Sequence, residues 1–366
     1  MKFIVLQQDL LPVISSVARV SGVHSTLPVL ENILLSAQGN KLKVAATNLE
    51  IGVIKYLPVE VIESGEITIP AKTLVELVSG LKQAKVTFEG NEAQITISCD
   101  KFKASLNGIP SAEFPVIPLS EGDGVSFKKE ILELSSQILF AAAVDEGRPT
   151  LTGILTQTTG DKLDFVATDG FRLAHRQVKM EDSKVKFKSI IPRRTFEEVL
   201  RILAEENSEE VKISISENQN QIIFDFGDYV VSSRLIEGSF PAWEKIIPTK
   251  IVARAIIDKE ELLKDIKLAS VFAKNEGNVI VMKITPGTLQ LSSSAKEIGS
   301  QENELEGEIE GSELQIAFNA KFLQDAISAS SATQLSIEFS GPLSPALIKP
   351  IGQEGLQYIV MPVKLN

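Results

Sequence analysis

The chain has 366 residues, 37 of them lysine or arginine and 48 aspartate or glutamate, for a formal net charge of −11. That length allows two to four domains at roughly 100–200 residues each, and the acidic balance excludes a protein that grips nucleic acid by bulk charge alone. One cysteine, Cys99, excludes a disulfide framework and suits a reducing cytosol, and no apolar run is long enough to span a bilayer, so a cytoplasmic protein with no membrane partner is expected.

In chain order, Lys2-Phe3-Ile4-Val5 reads as a strand running into a helix at Leu10-Leu11. Residues 41–46 read as a strand ending in Thr47-Asn48. Ile69-Pro70 closes a strand and opens a helix, with Leu74, Val75, Leu77, Val78 and Leu81 at spacings of three and four. Val86-Thr87-Phe88 is strand-like. Then the layout begins again. Val125-Ser126-Phe127 precedes Ile131-Leu132, and residues 162–167 end in Thr168-Asp169. Ile191-Pro192 leads into Arg193, Arg194, Phe196, Val199, Leu200 and Leu203, and residues 211–215 alternate. A third copy runs from Ala255-Ile256-Ile257 before Leu262-Leu263, through a weaker match at 288–294, to Phe318-Asn319 before Lys321, Phe322, Leu323, Ala326 and Ile327. Residues 335–339 close it. Proline is tolerated in a first helical turn, and Asn319 is a good cap.

The repeat implies three similar α+β domains, residues 1–120, 121–249 and 250–366, each with two helices packed on mostly antiparallel strands. The boundaries follow Phe114-Pro115 and Phe240-Pro241, in polar stretches that contain proline.

Catalytic chemistry is thinly supplied. His24 and His175 are too few for a metal cluster or a triad, and the chain has no phosphate loop, Cys–His pairing or GxSxG elbow. No cofactor and no metal are expected. The stretch 167–176, with Asp169, Arg172 and His175, draws attention, but Asp169 before Gly170 is ordinary turn chemistry. General acid–base work needs a partner that the chain does not offer. The recurring cation says more. Lys72, Arg194 and Lys321 hold the same place in each repeat, two residues beyond Pro70, Pro192 and Asn319, and Arg193, Lys82 and Arg201 add to them. Helix starts with nearby cations suit phosphates without reading bases.

Glu302, Glu304, Glu306, Glu308 and Glu310 alternate with other residues, which predicts one strand with an acidic stripe. Lys101 and Lys103 share a face just before Leu106. A solvated edge that deters aggregation accounts for the stripe by itself; the two charged faces also complement each other as halves of an interface.

Three such repeats occur together with the Thr168-Asp169-Gly170-Phe171-Arg172-Leu173 phrase. The chain also has Gly22-Val23-His24-Ser25-Thr26-Leu27-Pro28-Val29-Leu30, Ile69-Pro70-Ala71-Lys72, Phe240-Pro241 and the ending Met361-Pro362-Val363-Lys364-Leu365. It resembles, over its whole length, the bacterial DNA polymerase III β subunits, the sliding clamps. The resemblance implies a head-to-tail homodimer that closes three repeated DNA-clamp domains per copy into a six-domain ring. Such a ring encircles double-stranded DNA without sequence specificity and has no catalytic activity. It is opened by a clamp loader complex and tethers the DNA polymerase III α subunit. Other polymerases and repair proteins dock on it through short linear motifs. By position, the peptide pocket takes Arg148, Leu151, Thr168, Gly170, Phe171, Arg172 and Leu173. Pro241, Lys245, Ile246, Leu343 and Pro345 join them, with Ile359, Val360, Met361, Pro362, Val363, Lys364 and Leu365. The DNA-facing set is His24, Lys72, Arg193, Arg194 and Lys321. His24 stands where arginine is often found, and Asp145, Pro149 and Thr150 stand where a glutamine and two aromatics are best known. Phe171 replaces a histidine, and Val363-Lys364 replaces Met-Arg, which implies an altered peptide preference. Phe272 resembles an apolar interface position, to be joined by Lys101, Lys103, Leu106, Glu302 and Glu304.

Two further readings remain open at this level. A ligand-binding repeat protein explains the strands but not the basic helix starts. An enzyme centred on Asp169, Arg172 and His175 lacks a base and a nucleophile.

Overall fold

The computed structural model describes residues 1–22, 26–120, 124–145, 147–180, 186–206, 208–216, 220–274 and 276–365. The first repeat holds β1 (Lys2–Leu6), α1 (Gln7–Ala18), β2 (Asn32–Gln38), β3 (Lys41–Thr47), β4 (Ile51–Pro58), β5 (Glu60–Glu63), β6 (Gly65–Pro70), α2 (Ala71–Ser79), β7 (Lys85–Gly90), β8 (Gln94–Cys99) and β9 (Phe102–Asn107). The second holds β10 (Val125–Lys128), α3 (Lys129–Glu133), β11 (Gly153–Thr159), β12 (Lys162–Thr168), β13 (Arg172–Lys179), β14 (Lys188–Pro192), α4 (Arg193–Glu205), β15 (Glu210–Ile215), β16 (Gln221–Asp225) and β17 (Tyr229–Arg234). The third holds β18 (Ala253–Asp258), α5 (Lys259–Ala273), β19 (Val279–Thr285), β20 (Thr288–Ala295), β21 (Gly299–Leu305), β22 (Glu308–Gly311), β23 (Leu314–Asn319), α6 (Ala320–Ser328), β24 (Gln334–Phe339), β25 (Ala346–Pro350) and β26 (Leu356–Val360).

Three strands run straight into helices at the repeated signal. Pro70 ends β6 before α2, Pro192 ends β14 before α4, and Asn319 ends β23 before α6. Asn319 Oδ1 accepts from the Lys321 N–H at 3.0 Å, a side-chain cap that the two prolines do not provide. Apolar spacing then sets the buried faces: Leu74 and Val78 on α2, Phe196, Val199, Ile202 and Leu203 on α4, and Leu323, Ala326 and Ile327 on α6. The opening helix of the second repeat is shorter than its counterparts. α3 has five residues, and residues 134–137 continue as 3-10 turns. There the Ser135 and Ser136 hydroxyls each donate at 2.6 Å to the carbonyl three residues back, in competition with the helical ladder.

The chain forms two compact units, residues 1–129 with 201–235, and residues 130–200 with 236–366. The first contains a five-stranded sheet in the order β5-β1-β7-β8-β9 and an eight-stranded sheet in the order β10-β15-β16-β17-β4-β3-β2-β6. The second contains a nine-stranded sheet, β14-β11-β12-β13-β26-β25-β24-β18-β22, and a four-stranded sheet, β21-β20-β19-β23. All named pairings are antiparallel. The repeats are therefore not closed sheets side by side: the middle repeat divides its strands between its neighbours. β17 pairs with β4 from Tyr229↔Lys55 to Ser233↔Ile51, and β13 pairs with β26 from Arg172↔Val360 to Arg176↔Leu356. Each junction carries its own core. Val29, Leu30, Leu34, Ala45, Ile54, Phe114, Ile223 and Val230 cluster in the first unit. Leu155, Val166, Leu173, Ile190, Trp243, Leu347 and Ile359 cluster in the second. A fully buried aliphatic side chain contributes about 1.5–3 kcal/mol, so either cluster outweighs any single surface contact.

The acidic stripe expected as one strand is two. Glu302 and Glu304 lie on β21 in the four-stranded sheet, whereas Glu308 and Glu310 lie on β22 in the nine-stranded sheet. Glu306 and Gly307 link them. A Cβ at Gly307 would stand 2.4 Å from the Ile256 carbonyl oxygen, so the chain turns away at the residue that permits the approach. Among the described residues no helix is long and apolar enough to cross a membrane.

Candidate functional site

The polar stretch after β12 is a turn closed by its own side chains. Thr168 Oγ1 donates to the Arg172 carbonyl at 2.7 Å and accepts from the Gly170 N–H at 3.1 Å. Asp169 Oδ1 accepts from the N–H groups of Phe171 and Arg172 at 2.8 and 3.0 Å. Gly170 has φ of 91°, a left-handed conformation that glycine adopts without cost. The first repeat builds the same turn. Thr47 Oγ1 donates to the Ile51 carbonyl at 2.9 Å and accepts from the Leu49 N–H at 3.0 Å. Asn48 Oδ1 accepts from the N–H groups of Glu50 and Ile51 at 3.0 and 2.8 Å. The phrase that drew attention as an active-site candidate is thus a structural turn used twice.

The second copy differs in what it carries. Arg172 Nε donates to Asp169 Oδ2 at 3.0 Å, Nη1 to Asp325 Oδ2 on α6 at 2.6 Å, and Nη2 to the Phe140 carbonyl at 2.9 Å. The guanidinium lies 5.3 Å from the Phe140 ring centre and 4.8 Å from that of Phe322. Arg148 Nη2 braces the turn through the Asp169 carbonyl at 2.7 Å. With its polar groups bound, the turn presents Phe171, which is 58% exposed and stacked on Phe322 at 6.1 Å.

Of the other residues expected in the pocket, Ile359 and Val360 pair with Leu173 and Arg172, and Met361 meets Phe171. Leu151, Leu173, Ile359 and Val360 are buried, and Ile246 packs on the same cluster as Trp243. The chain leaves β26 beside the turn: the Met361 N–H donates to the Phe171 carbonyl at 2.9 Å, and the Val363 N–H donates to the Ala317 carbonyl at 2.8 Å. Met361, Leu343 and Leu365 are exposed apolar side chains, Pro345 and Pro362 are half-buried, and Pro241, Lys245 and Lys364 are exposed. Leu343 and Pro345 precede β25, whose Ala346 pairs with Val360. Buried aliphatics beneath, an aromatic ledge beside them and methionine and proline at the rim suit an apolar anchor on an extended peptide.

Asp169, Arg172 and His175 do not form a catalytic set. Asp169 is occupied by the turn and by Arg172, whereas His175 Nε2 faces Asp164 Oδ1 at 2.8 Å. Among the described residues no group of three potential metal ligands is assembled.

The basic positions are solvent-facing helix starts. Lys72, Arg194 and Lys321 are each the second residue of α2, α4 and α6, and all three are exposed. Lys72 is 4.0 Å from Glu76, and Arg193 Nε is 2.8 Å from Glu197 Oε1. His24 lies outside the described residues. Lys101 stands in the turn before β9, and Lys103 is exposed on β9, which ends the five-stranded sheet. Phe102, Ala104 and Leu106 lie on the other face of β9, opposite buried Cys99, Ile97 and Ile95. Glu302 and Glu304 are exposed on β21, which ends the four-stranded sheet. Phe272 is half-buried on α5, beside exposed Leu268 and Val271.

Sequence reading missed Phe140, Asp325 and Phe322, which hold Arg172 together with Asp169. Their separation from it in the chain gave no signal. It also missed Trp243, although Trp243 follows Phe240-Pro241 and could have been suspected as a buried aromatic anchor.

Three strand–helix repeats joined through shared antiparallel sheets, with apolar side chains exposed at one junction, define a clamp-type scaffold. Family models for the DNA polymerase III beta subunit match the chain in sequence: the N-terminal domain at residues 1–118, the central domain at 127–242 and the C-terminal domain at 244–364. The chain belongs to the DNA polymerase III beta subunit family, the beta sliding clamps. It is 32% identical to the beta sliding clamp of Synechococcus elongatus, over the full length of both chains. The sliding clamp of Bacillus subtilis is 27% identical, with a TM-score of 0.95 over all of both chains. That of Caulobacter crescentus is 28% identical, with a TM-score of 0.94 over 100% of this chain and 99% of the other; its crystal structure has polyethylene glycol in a region described as tethering the beta motif. The function is that of a DNA sliding clamp in replication, working with DNA and a DNA polymerase.

Proposed function

We propose that two copies close head to tail into a six-domain ring around double-stranded DNA, with clamp domains at 1–120, 121–249 and 250–366. The observation that carries this reading is a pair of terminal sheet strands with exposed charges of opposite sign, β9 with Lys103 and β21 with Glu302 and Glu304. Unpaired edges template strand addition, and charges of opposite sign would orient it. Exposed Phe102 and half-buried Leu106 beside one edge, and Leu268, Val271 and Phe272 on α5 beside the other, supply apolar surface for the interface centre.

The ring acts without catalysis of its own. A protein that slides must hold phosphates weakly, because each strong contact is a barrier to movement. Topology then retains the duplex, and Lys72, Arg193, Arg194 and Lys321 centre it through salt-dependent contacts, with His24 placed there by resemblance alone. A net charge of −11 discourages DNA from binding elsewhere. The pocket at Phe171 takes short apolar segments of the DNA polymerase III α subunit, the clamp loader complex, other polymerases and repair proteins. The protein works in the cytoplasm.

Retention on DNA is the test. Loaded protein should stay on nicked circular DNA through gel filtration and leave after linearisation. Equal retention on both forms would overturn the encircling ring.

A further inference from the structure

His175 is a buried titratable group that the functions above leave unused. It sits on β13 two residues beyond Leu173, so both side chains project from the same face. Opposite them on β26, Gln357 pairs with His175 and Ile359 with Leu173. The floor of the candidate pocket is therefore apolar at Leu173 and Ile359 and polar at His175 and Gln357.

Trp243 spans this floor. It belongs to the cluster with Leu173 and Ile359, and its ring centre is 4.4 Å from that of His175. Among the described residues its Nε1–H has no hydrogen-bond partner. Packing and the imidazole contact alone therefore set the ring's position. His175 is itself held at both ends: Nε2 is 2.8 Å from Asp164 Oδ1, and Gln357 Nε2 is 3.0 Å from Nδ1. Asp164 also accepts from Gln177 Nε2 at 2.8 Å and from Thr159 Oγ1 at 3.2 Å. A neutral imidazole with its proton on Nε2 satisfies both contacts. A second proton, on Nδ1, would oppose the Gln357 N–H, and the amide would have to turn.

The route for that proton is open. His175 lines a cleft of 360 Å³ with Gln177, Lys349, Glu354 and Gln357 among others. The charged groups that face the ring are Asp164 from β12 and, across the cleft, Lys349 and Glu354. Lys349 is paired with Glu338 at 2.9 Å, and Glu244 and Lys245 beside Trp243 are exposed.

We propose that His175, held between Asp164 and Gln357, is a positioning residue that sets Trp243 beneath the peptide pocket, and that its protonation from the cleft weakens peptide docking. The proposal rests on the peptide-pocket reading above. A direct readout exists because Trp243 is the only tryptophan and His24 the only other histidine. Protonated imidazole in contact with indole quenches its emission.

Full-length protein is taken from about pH 8 to about pH 5.5. Trp243 emission is followed alongside the affinity for a capped, histidine-free peptide from the DNA polymerase III α subunit. Emission should fall in one transition, and affinity should fall with it by roughly three- to tenfold, the size of one lost coupling in a contact network. His175→Gln keeps a donor toward Asp164 but cannot take up the charge, so whatever affinity it retains should not change with pH. His175→Leu should bind weakly throughout. Flat wild-type emission, or a pH response that persists in His175→Gln, would overturn the proposal. Failure to bind at any pH would overturn the pocket reading instead, while the emission titration still decides whether His175 reports to Trp243.

Discussion

Arg172 gathers more interactions than any other residue of the candidate pocket: two carboxylates, a carbonyl and two aromatic faces. Its side chain is 10% exposed, so its removal leaves Asp169 and Asp325 without their cation in a poorly solvated place. Arg172→Ala should cost about 2–4 kcal/mol of stability. Arg172→Lys should recover little, because an ammonium cannot reach in three fixed directions. Urea unfolding decides this, and an unchanged midpoint would mean that the Thr168 and Asp169 hydrogen bonds hold the turn unaided. Asp164 offers a pH test. Burial pushes its carboxyl up, but hydrogen bonds from His175 and Gln177, the His175 charge and the Thr159 hydroxyl together hold it below its ordinary value. A lowered carboxyl stabilises the fold above the unfolded-chain value and loses that contribution as pH falls through the folded value. The stability gap between wild type and Asp164→Asn should therefore shrink as pH falls below about 4. A gap that grows in acid would contradict the assignment of the charge.

At the scale of elements, the strand-to-helix junction is the unit that recurs, and each copy sets a cation at the second helical residue. Single exposed charges contribute little. Neutralising Lys72, Arg194 and Lys321 together should lower loading and flatten the dependence of DNA affinity on salt, while each single change does little. Filter binding over a salt series measures this, and a triple variant with the wild-type slope would place these residues away from DNA. The strap after β26 is the second element of the proposed site. It is tied by the Met361–Phe171 and Val363–Ala317 backbone contacts and contributes apolar rim. Deleting residues 363–366 should abolish polymerase binding and leave self-association intact. Polymerase binding at wild-type strength after that deletion would remove the strap from the site.

For the whole molecule, the open question is closure. Reversing Lys101 and Lys103 to glutamate should weaken the dimer by about 1–3 kcal/mol at low salt and by less at high salt, because exposed charges are screened. Restoration by reversing Glu302 and Glu304 would confirm that these edges meet. Sedimentation over a salt series gives the dissociation constants, and an unchanged value in the double-lysine variant would rule the pairing out. Glu308 and Glu310 should not substitute, because they lie on a different sheet.

Local chemistry made much of this legible from the chain alone. Apolar spacing of three and four, prolines at strand ends and a repeated Thr-Asx phrase are properties of short segments, so the three repeats, their helix starts and the turn at Asp169 are written in the sequence itself. The interpretation of that turn as structural, with Asp169 hydrogen-bonded to its own backbone, follows from the same short range. Only the tertiary structure decided what lies far apart in sequence. It split the middle repeat between two sheets, since strand pairing depends on which edges meet and not on neighbourhood in the chain. It broke the glutamate run at Gly307, where the chain passes too close to the Ile256 carbonyl for a side chain. It brought Phe140, Phe322 and Asp325 around Arg172, and Asp164, Gln357 and Trp243 around His175. Alternation along one strand shows which side a residue faces. What it meets there depends on the strands and helices that the rest of the chain lays against it.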